Sequence, residues 1–333
     1  MNPGSLSKTF AIVAVAVAAC APLAAGAQTV WRLASGYSEN AFQTLNLKQF
    51  AHDVSVATGG RLTMDVHANN TLYKLGEIPS RVESGAIPAG ETIMSNLAAE
   101  IPVAGADSVP FIVGSYDDAR RLWKAQRPVL DAELAHKGLI GLYAVAWPPQ
   151  GLYAAKAIKV SSDLKGSRMR TYNAATQRIA EQLGARPVAV MMTDLAQALA
   201  AGRVESMITS GATGIDSHAW EQLKYFYDIH AWYPKNIVLV NAAAYAALAP
   251  RDQEGLRSAA AAAEARGWQM SQAAEAASLA ELAAHGMHLD TVDFEFRNEM
   301  RRYGERFAVE WVRATGQGAS AILIPYYVTA AAR

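Results

Sequence analysis

Cysteine is almost absent from this chain, since Cys20 is the only one in 333 residues. A single thiol cannot close an intramolecular disulfide, and it cannot supply the thiolate pairs of a structural zinc site. Cys20 also lies in an N-terminal segment that we predict to be removed. We therefore expect a mature chain without cysteine, which excludes a thiol nucleophile and a disulfide framework.

An excess of charge of either sign is also lacking. The chain has 30 Lys and Arg residues against 30 Asp and Glu residues. Removal of residues 1–27 takes away one positive charge, that of Lys8, and leaves 29 basic against 30 acidic residues. A nearly neutral chain has no field suited to nucleic acid or to an anionic membrane, so we predict neither as a partner.

Long apolar runs are missing beyond the N-terminus. No later run reaches the roughly 18–20 residues that a membrane-spanning helix needs. The Ala-rich tract at 259–263 is followed directly by the charged residues Glu264 and Arg266. We expect a soluble, exported, globular protein with two lobes, because 333 residues suffice for two units of ordinary domain size.

The motifs of common enzyme classes are absent as well. The sequence has no G-x-S-x-G, no H-E-x-x-H, no P-loop, and no G-x-G-x-x-G after a predicted strand. Its seven histidines are scattered, and His218 is predicted to be exposed or capping rather than a metal ligand. The prediction is a protein without catalytic residues, cofactor or metal.

The N-terminus contains an export signal. Lys8 supplies a short basic region, residues 9–19 form an apolar run, and residues 25–27 (AGA) fit a cleavage site. Residues 1–27 are therefore predicted to be a signal peptide. As an alternative, residues 17–20 (VAAC) fit a lipoprotein box in which Cys20 carries a lipid. Either cut predicts a location outside the cytoplasm, in the periplasm.

The most informative stretch is 163–190, DLKGSRMRTYNAATQRIAEQLGARPVAV. It predicts a strand over 167–171, a helix from about 174 and a second strand from about 187. In open α/β sheets, ligands bind in the crevice beyond the end of such a strand. Alternation places Arg168 and Arg170 on one strand face near a helix N-terminus, which favours an anion. A solvated strand face or a structural salt bridge is the alternative.

Other candidate ligand contacts lie at predicted strand ends and lobe crossings. Glu91 breaks a small, apolar strand and therefore needs water or a partner; a structural role is its alternative. Thr209 and Ser210 follow a predicted strand, where hydroxyl groups orient a ligand or simply form a turn. The remaining candidates are two amides and several aromatic residues that line the cleft or pack in the core: Gln150, Asn236, Trp147, Tyr172, Trp220, Trp232 and Tyr233.

Several of these motifs together resemble one known family. Lys165-Gly166 and Arg170, a helix, LGARPV at 183–188 and QALAAGRVE at 197–205 are similar to the signature of extracytoplasmic solute-binding proteins of tripartite ATP-independent periplasmic (TRAP) transporters. The resemblance implies a type II periplasmic binding protein, an α/β protein with two lobes around a central cleft and a long connecting helix. It also implies that Arg170 forms the salt bridge to a substrate carboxylate, with Arg168 as the second choice.

The expected lobes are discontinuous in sequence. Residues 28–147 with 236–272 are predicted to form lobe I, and residues 148–235 with 273–333 to form lobe II. The Ala-rich segment from 250 to 284 is predicted to be helical, to pack along both lobes, and to be interrupted at Gly267.

The resemblance also shapes the predicted function. Many relatives carry another arginine near the position of Gln150, and an amide there cannot neutralise a second carboxylate. With the aromatic residues, this predicts a monocarboxylate ligand: a 2-oxo, 2-hydroxy or aromatic acid. The alternatives are a sugar-acid binding protein of the same transporter class and a ligand-sensing module of an exported signalling complex. The expected partners are the membrane permease subunits of a TRAP transporter, and the expected state is a monomer.

Overall fold

The computed structural model describes Met1 and residues 28–331. Apart from Met1, the predicted signal peptide and Cys20 lie outside the described residues. The described chain forms two α/β lobes, each built around its own sheet, which confirms the predicted fold class. Within the described part, no helix is long and apolar enough to cross a membrane.

Eleven strands build the two sheets in the described residues. Their bounds are β1 Thr29–Ala34, β2 Leu62–His67, β3 Ala89–Ile93, β4 Leu139–Ala146, β5 Gln150–Ala154, β6 Arg168–Thr171, β7 Arg186–Ala189, β8 Ser206–Ser210, β9 Tyr225–Tyr227, β10 Lys235–Asn241 and β11 His288–Asp290. The first sheet has the order β2-β1-β3-β10-β4, and the second has the order β11-β9-β5-β8-β6-β7. Because β10 returns to the first sheet, neither lobe is continuous in sequence.

Ten α-helices cover the sheets in the same part of the chain. Their bounds are α1 Phe42–Ala57, α2 Ile78–Glu83, α3 Tyr116–His136, α4 Ala174–Gln182, α5 Leu195–Ala200, α6 Gly211–Asp216, α7 Ala242–Ala246, α8 Pro250–Ala284, α9 Phe294–Thr315 and α10 Gln317–Ala331. Helix α1 ends before Gly59 and Gly60, whose φ angles of 60° and 75° are ones that glycine adopts without strain. The chain can then turn back into β2, which pairs in parallel with β1.

Helix α8 runs unbroken along both lobes, so the predicted interruption at Gly267 is wrong. Gly267 instead packs closely against the first lobe, beside Val145 of β4 and Asn46 of α1. The next residue, Trp268, is buried and donates its indole N–H to the carbonyl of Ala144 at 2.9 Å. A glycine inside a helix costs some helix stability, which close packing offsets here.

This close approach makes Gly267→Ala a destabilising change. The added Cβ would overlap Val145 and lie 2.7 Å from Asn46 Nδ2. We expect the free energy of unfolding to fall by about 1–3 kcal/mol, because overpacking outweighs the gain in helix propensity. Urea unfolding measures this loss of stability. Gly76→Ala is the control, since nothing lies within 4 Å of a Cβ at that position. Equal midpoints for the two variants would contradict this packing.

The C-terminal helices correct the predicted lobe boundary. Helix α9 begins against the second lobe, where Phe296 and Met300 join its core. Its other end reaches the first lobe, where Trp311 Nε1 donates to the carbonyl of Pro102 at 3.1 Å. Helix α10 packs its apolar side, including Ile322 and Tyr326, into the first lobe's core beside α3. Residues 273–333 are therefore shared between the lobes, because the apolar face of α10 fits the first core.

Two of the crossings between the lobes are hydrogen-bonded to each other. Trp147 N donates to the carbonyl of Pro234 at 2.8 Å, and Gln150 N donates to the carbonyl of Trp232 at 3.0 Å. In return, Ala231 N donates to the carbonyl of Gln150 at 2.9 Å. This pairing fixes the segments around residues 147–150 and 231–234 next to each other at the base of the cleft.

Candidate ligand-binding site

A pocket lies between the two lobes, at the sheet edges that face each other. It encloses about 470 Å³, counting the solvent at its opening. The first lobe contributes Tyr37, Leu75, Ile93, Asn96 and Trp147; the second contributes Gln150, Arg170, Tyr172, Met191, Met192, Thr209 and Thr213; Pro234 comes from the return crossing. Because β6 and β8 are parallel, Arg170 and Thr209 reach the same edge of the second sheet.

Arg170 is the charged group of this pocket. Only 4% of the residue is exposed, and its Nε donates to the carbonyl of Val190 at 3.0 Å. Burial lowers the pKa of Arg170 to about 10, so the guanidinium stays protonated at neutral pH. Among the described residues, no carboxylate forms a salt bridge with it, although buried charges are normally paired. The site therefore presents a buried cation that has no counter-ion within residues 28–331.

Tyr172 forms part of the wall beside Arg170. The guanidinium carbon lies 4.9 Å from the centre of the Tyr172 ring, in cation–π geometry. Burial raises the pKa of Tyr172 to about 12, although the positive charge of Arg170 opposes that rise. The hydroxyl is therefore neutral and can donate a hydrogen bond, and it lies 3.4 Å from Gln150 Oε1.

Gln150 occupies the start of β5, directly in the pocket. Its amide is already engaged, since Nε2 donates to the carbonyl of Pro148 at 2.9 Å and Oε1 faces the hydroxyl of Tyr172. Thr209 lies on the neighbouring strand and also lines the pocket. Both are buried, so any polar group of a ligand that reaches them is shielded from water.

Ser210 has a different place from its neighbour Thr209. Its Oγ accepts from Thr213 N at 3.2 Å and lies 3.1 Å from Thr213 Oγ1, so it caps α6. Ser210 is not among the pocket-lining residues. Ser210 therefore has the second of its two predicted roles, which is to form the turn rather than to orient a ligand.

Arg168 does not reach the pocket. Its Nη2 lies 2.8 Å from Glu205 and 2.9 Å from the carbonyl of Gly202, on the outside of the second lobe. The two arginines lie on the same face of β6. Arg168 is the first residue of the strand, whereas Arg170 lies near its carboxyl end. The structure therefore places Arg168 in the surface salt bridge that was its alternative interpretation.

Glu91 and Asn236 lie behind the pocket wall rather than in it. They are 4% and 2% exposed, and Asn236 Nδ2 donates to Glu91 Oε1 at 3.0 Å. Ser35 Oγ lies 2.7 Å from the other Glu91 oxygen. Burial raises the pKa of Glu91, whereas its bonds to Asn236 and Ser35 lower it. Asn236 in turn contacts the wall residues Tyr37 and Trp147.

The other predicted aromatic residues do not line the pocket. Trp232 is buried in the core of the second lobe, where its carbonyl holds the backbone of Gln150. Trp220 stacks between His218 and His285 on the far side of that lobe. Tyr233 packs against Tyr116 near the crossing. Of the five aromatic candidates, Trp147 and Tyr172 are the ones that line the pocket.

Some lining residues were missed by sequence analysis. They are Tyr37, Leu75, Ile93, Asn96, Met191, Met192, Thr213 and Pro234. Tyr37 follows β1 and Met191 follows β7, so the rule that ligands meet strand ends could have found both. That rule does not apply to Leu75 and Thr213. Leu75 reaches the cleft from a loop, and Thr213 reaches it from the first turn of a helix.

The charges of the site limit what it can hold. Arg170 is the one ionisable cation among the lining residues that the structure describes, and Glu91 lies behind the wall. In residues 28–331, no group of three or more His, Cys, Asp or Glu side chains is arranged to hold a metal ion. Two α/β lobes around one buried cation, unpaired within the described part of the chain, define a protein that binds a small anionic solute.

The sequence of residues 33–311 matches the family model of bacterial extracellular solute-binding proteins, family 7 (DctP), and the chain belongs to this family. It is similar to DctP6, an extracytoplasmic solute receptor of Bordetella pertussis that binds pyroglutamic acid, with 40% identity, a TM-score of 0.88, and coverage of 90% of this chain and 99% of that one. These matches confirm the predicted type II binding-protein fold and the TRAP family.

Two further relatives extend the comparison. A TRAP solute-binding protein from a marine metagenome, specific for pyroglutamate, is 34% identical with a TM-score of 0.88. The match covers 90% of this chain and 99% of that one. The 2,3-diketo-L-gulonate-binding periplasmic protein YiaO of Escherichia coli is 25% identical over 76% of this chain and 78% of its own length. A curated solute-binding protein of Chromohalobacter salexigens is covered over only 65% of its length.

Proposed function

We propose that this protein captures a small cyclic monocarboxylate of the pyroglutamate class outside the cytoplasm and delivers it to a TRAP transporter. The observation that carries the proposal is the buried guanidinium of Arg170, which has no counter-ion among the described residues. A ligand carboxylate would supply that counter-ion through two charge-assisted hydrogen bonds. One cation matches one carboxylate, which agrees with the amide at Gln150 in place of a second positive charge.

The rest of the pocket suits a compact ring. Tyr37, Trp147 and Ile93 form an apolar wall on one side, and Met191 lies across from them. Gln150 and Thr209 lie on the same side as Arg170, within the second lobe. A lactam ring has an N–H and a carbonyl that these two side chains can meet, while its methylene groups face the wall. Two relatives at 40% and 34% identity bind pyroglutamate, which supports this class.

The cellular setting follows from the family and from the N-terminal sequence. We propose export through the signal peptide of residues 1–27, with a non-lipidated mature protein beginning at Gln28. We also propose that the protein acts as a monomer without catalytic activity. Delivery to permease subunits distinguishes this function from ligand sensing, which would require an exported signalling partner.

A matched set of ligands tests the proposal by calorimetric titration of the ligand-free protein. L-Pyroglutamate carries both the carboxylate and the lactam, cyclopentanecarboxylate carries the carboxylate alone, and 2-pyrrolidinone carries the lactam alone. We expect the first to bind most tightly and the second about tenfold or more weaker, because the lactam hydrogen bonds are lost. No binding is expected for 2-pyrrolidinone, since Arg170 would stay buried and unpaired.

Two further ligands separate the alternatives. Succinate is expected to bind poorly, because the pocket would hold its second carboxylate without a cation. Tight binding of D-glucuronate together with weak binding of pyroglutamate would replace the proposal by the sugar-acid alternative. Binding of 2-pyrrolidinone as tight as that of pyroglutamate would refute the role of the carboxylate.

A further inference from the structure

Two aromatic residues of the first-lobe wall, Tyr37 and Trp147, carry hydrogen-bond donors that are both already used. Tyr37 hydroxyl donates to Asn236 Oδ1 at 3.0 Å, and Trp147 Nε1 donates to the same oxygen at 2.9 Å. The two rings also pack edge to face, with centres 5.3 Å apart. Since Asn236 is 2% exposed and does not line the pocket, both donors are directed into the protein. The wall therefore presents ring surfaces to a ligand.

The orientation of the Asn236 amide follows from its neighbours. The indole nitrogen of Trp147 is only a donor, so the Asn236 atom that faces it must be the oxygen. The Asn236 nitrogen then faces Glu91, whose Oε1 accepts at 3.0 Å. Ser35 Oγ, 2.7 Å from the other carboxyl oxygen, holds Glu91 in place. The Trp147 N–H and the Glu91 carboxylate thus hold the amide in the same orientation from its two ends.

This arrangement has consequences for the ligand. If Asn236 Oδ1 were absent or turned, the Tyr37 hydroxyl and the Trp147 N–H would be left buried without an acceptor. Buried donors without partners are costly, so an oxygen atom of the ligand that reaches the Tyr37 hydroxyl or the Trp147 N–H would then gain a hydrogen bond. The wall would then favour ligands with an acceptor on that side.

We infer that Glu91 and Asn236 are positioning residues that set the selectivity of the receptor by keeping the Tyr37 and Trp147 part of the first-lobe wall free of hydrogen-bond donors. They act through Tyr37 and Trp147 and do not touch the ligand. The inference rests on the proposed function insofar as the ligand is a small cyclic acid. It assigns the rejection of acceptors on the side of the ring that faces Tyr37 and Trp147 to a pair of residues outside the pocket.

Two acids of equal ring size test this selectivity. Cyclopentanecarboxylate has no polar group on its ring, and 3-oxocyclopentane-1-carboxylate adds one acceptor. We expect the ratio of their dissociation constants to shift about tenfold toward the oxo acid in Asn236→Leu and in Glu91→Leu, a change equivalent to one hydrogen bond. Glu91→Gln should restore the parent ratio, because its amide oxygen still accepts from Asn236 while its nitrogen donates to Ser35.

A second readout requires no ligand. The indole N–H signal of Trp147, assigned by its loss in Trp147→Phe, is expected to be protected from solvent exchange in the ligand-free parent protein. Asn236→Leu and Glu91→Leu should shift this signal and remove its protection, whereas Glu91→Gln should not. If neither acid bound the parent, the proposed function would fail, yet this measurement would still decide how Asn236 is oriented.

Three results would overturn the inference. One is an unprotected Trp147 indole N–H in the ligand-free parent, which needs no variant to fold. Another is an indole signal that Asn236→Leu leaves unchanged. The third is equal weakening of both acids in folded Asn236→Leu and Glu91→Leu, with an unchanged ratio, because that pattern indicates a purely structural role.

Discussion

Replacement of Arg170 by alanine is expected to cause the largest loss of ligand affinity of any single substitution in the pocket. Arg170 supplies the positive charge of the pocket, and it is 4% exposed, so its bonds to a carboxylate are formed away from water. Truncating one partner of a buried charge pair costs about 2–5 kcal/mol, which corresponds to roughly 30-fold to 5,000-fold in the dissociation constant. Arg170→Lys keeps the charge but loses the paired geometry, so we expect a loss of about tenfold to 100-fold.

The matched control for this prediction is Arg168→Ala on the same strand. Arg168 is exposed and pairs with Glu205 and Gly202 outside the pocket, so its removal should change the dissociation constant for L-pyroglutamate by less than about twofold. Calorimetric titration of the three variants, with thermal unfolding to verify folding, makes the comparison. Binding by Arg170→Ala that equals that of the parent would show that the carboxylate lies elsewhere.

The second large effect is expected at a buried ion pair that does not touch the ligand. Lys235, which begins β10 as the chain returns to the first lobe, is fully buried, and its Nζ lies 3.4 Å from Asp107 Oδ2. The same oxygen accepts from Lys235 N at 2.7 Å. Lys235→Met should destabilise the fold by about 3–5 kcal/mol, because it leaves the Asp107 carboxylate buried without its cation.

The pH dependence gives this prediction a specific signature. Burial already raises the pKa of Asp107, whereas the charge of Lys235 lowers it, so removing Lys235 raises that pKa further. A carboxyl group whose pKa is higher in the folded than in the unfolded state binds more protons when folded. Stability then increases as the pH falls, and the deficit of Lys235→Met should shrink as the pH falls from the raised pKa of the folded state towards the ordinary pKa of an aspartate.

Two further variants serve as controls for the ion pair. Asp107→Asn combined with Lys235→Met removes both charges and keeps an oxygen for Lys235 N, so it should recover most of the lost stability. Lys48→Met removes an exposed pair with Glu39 and should cost less than about 1 kcal/mol. Urea unfolding measures the free energy of unfolding of the single variants and of the double variant. A deficit of Lys235→Met that is independent of pH would argue against an unpaired carboxylate.

Several features of this protein could be predicted from local sequence because they depend on neighbours along the chain. The strand that carries Arg170 and the helix after it follow from alternation and from capping by Asn173, whose side chain accepts from Thr176 N. The turn after α1 follows from Gly59 and Gly60. The position of Arg170 at the carboxyl end of its strand, together with the resemblance to the TRAP family, then indicated it as the residue for an anion.

Contacts between distant segments could not be predicted in this way. Arg168 and Arg170 share a strand face, but only the packing of β8 and the loop after α5 shows that Arg168 meets Glu205 outside the pocket. Glu91 and Asn236 were predicted as ligand contacts, yet their mutual hydrogen bond joins residues on β3 and β10 behind the wall. Helix α10 packs on the first lobe because its apolar face matches that core.

By itself, the amino-acid sequence determined the α/β class, the family and the residue that supplies the positive charge. Each of these depends on periodicity, on short motifs or on the chemistry of one side chain. Only the tertiary structure decided which polar residues face the pocket and which ones hold its walls from behind. The physical reason is that a buried polar group takes its role from the partners that satisfy its hydrogen bonds, and here those partners are far away in sequence.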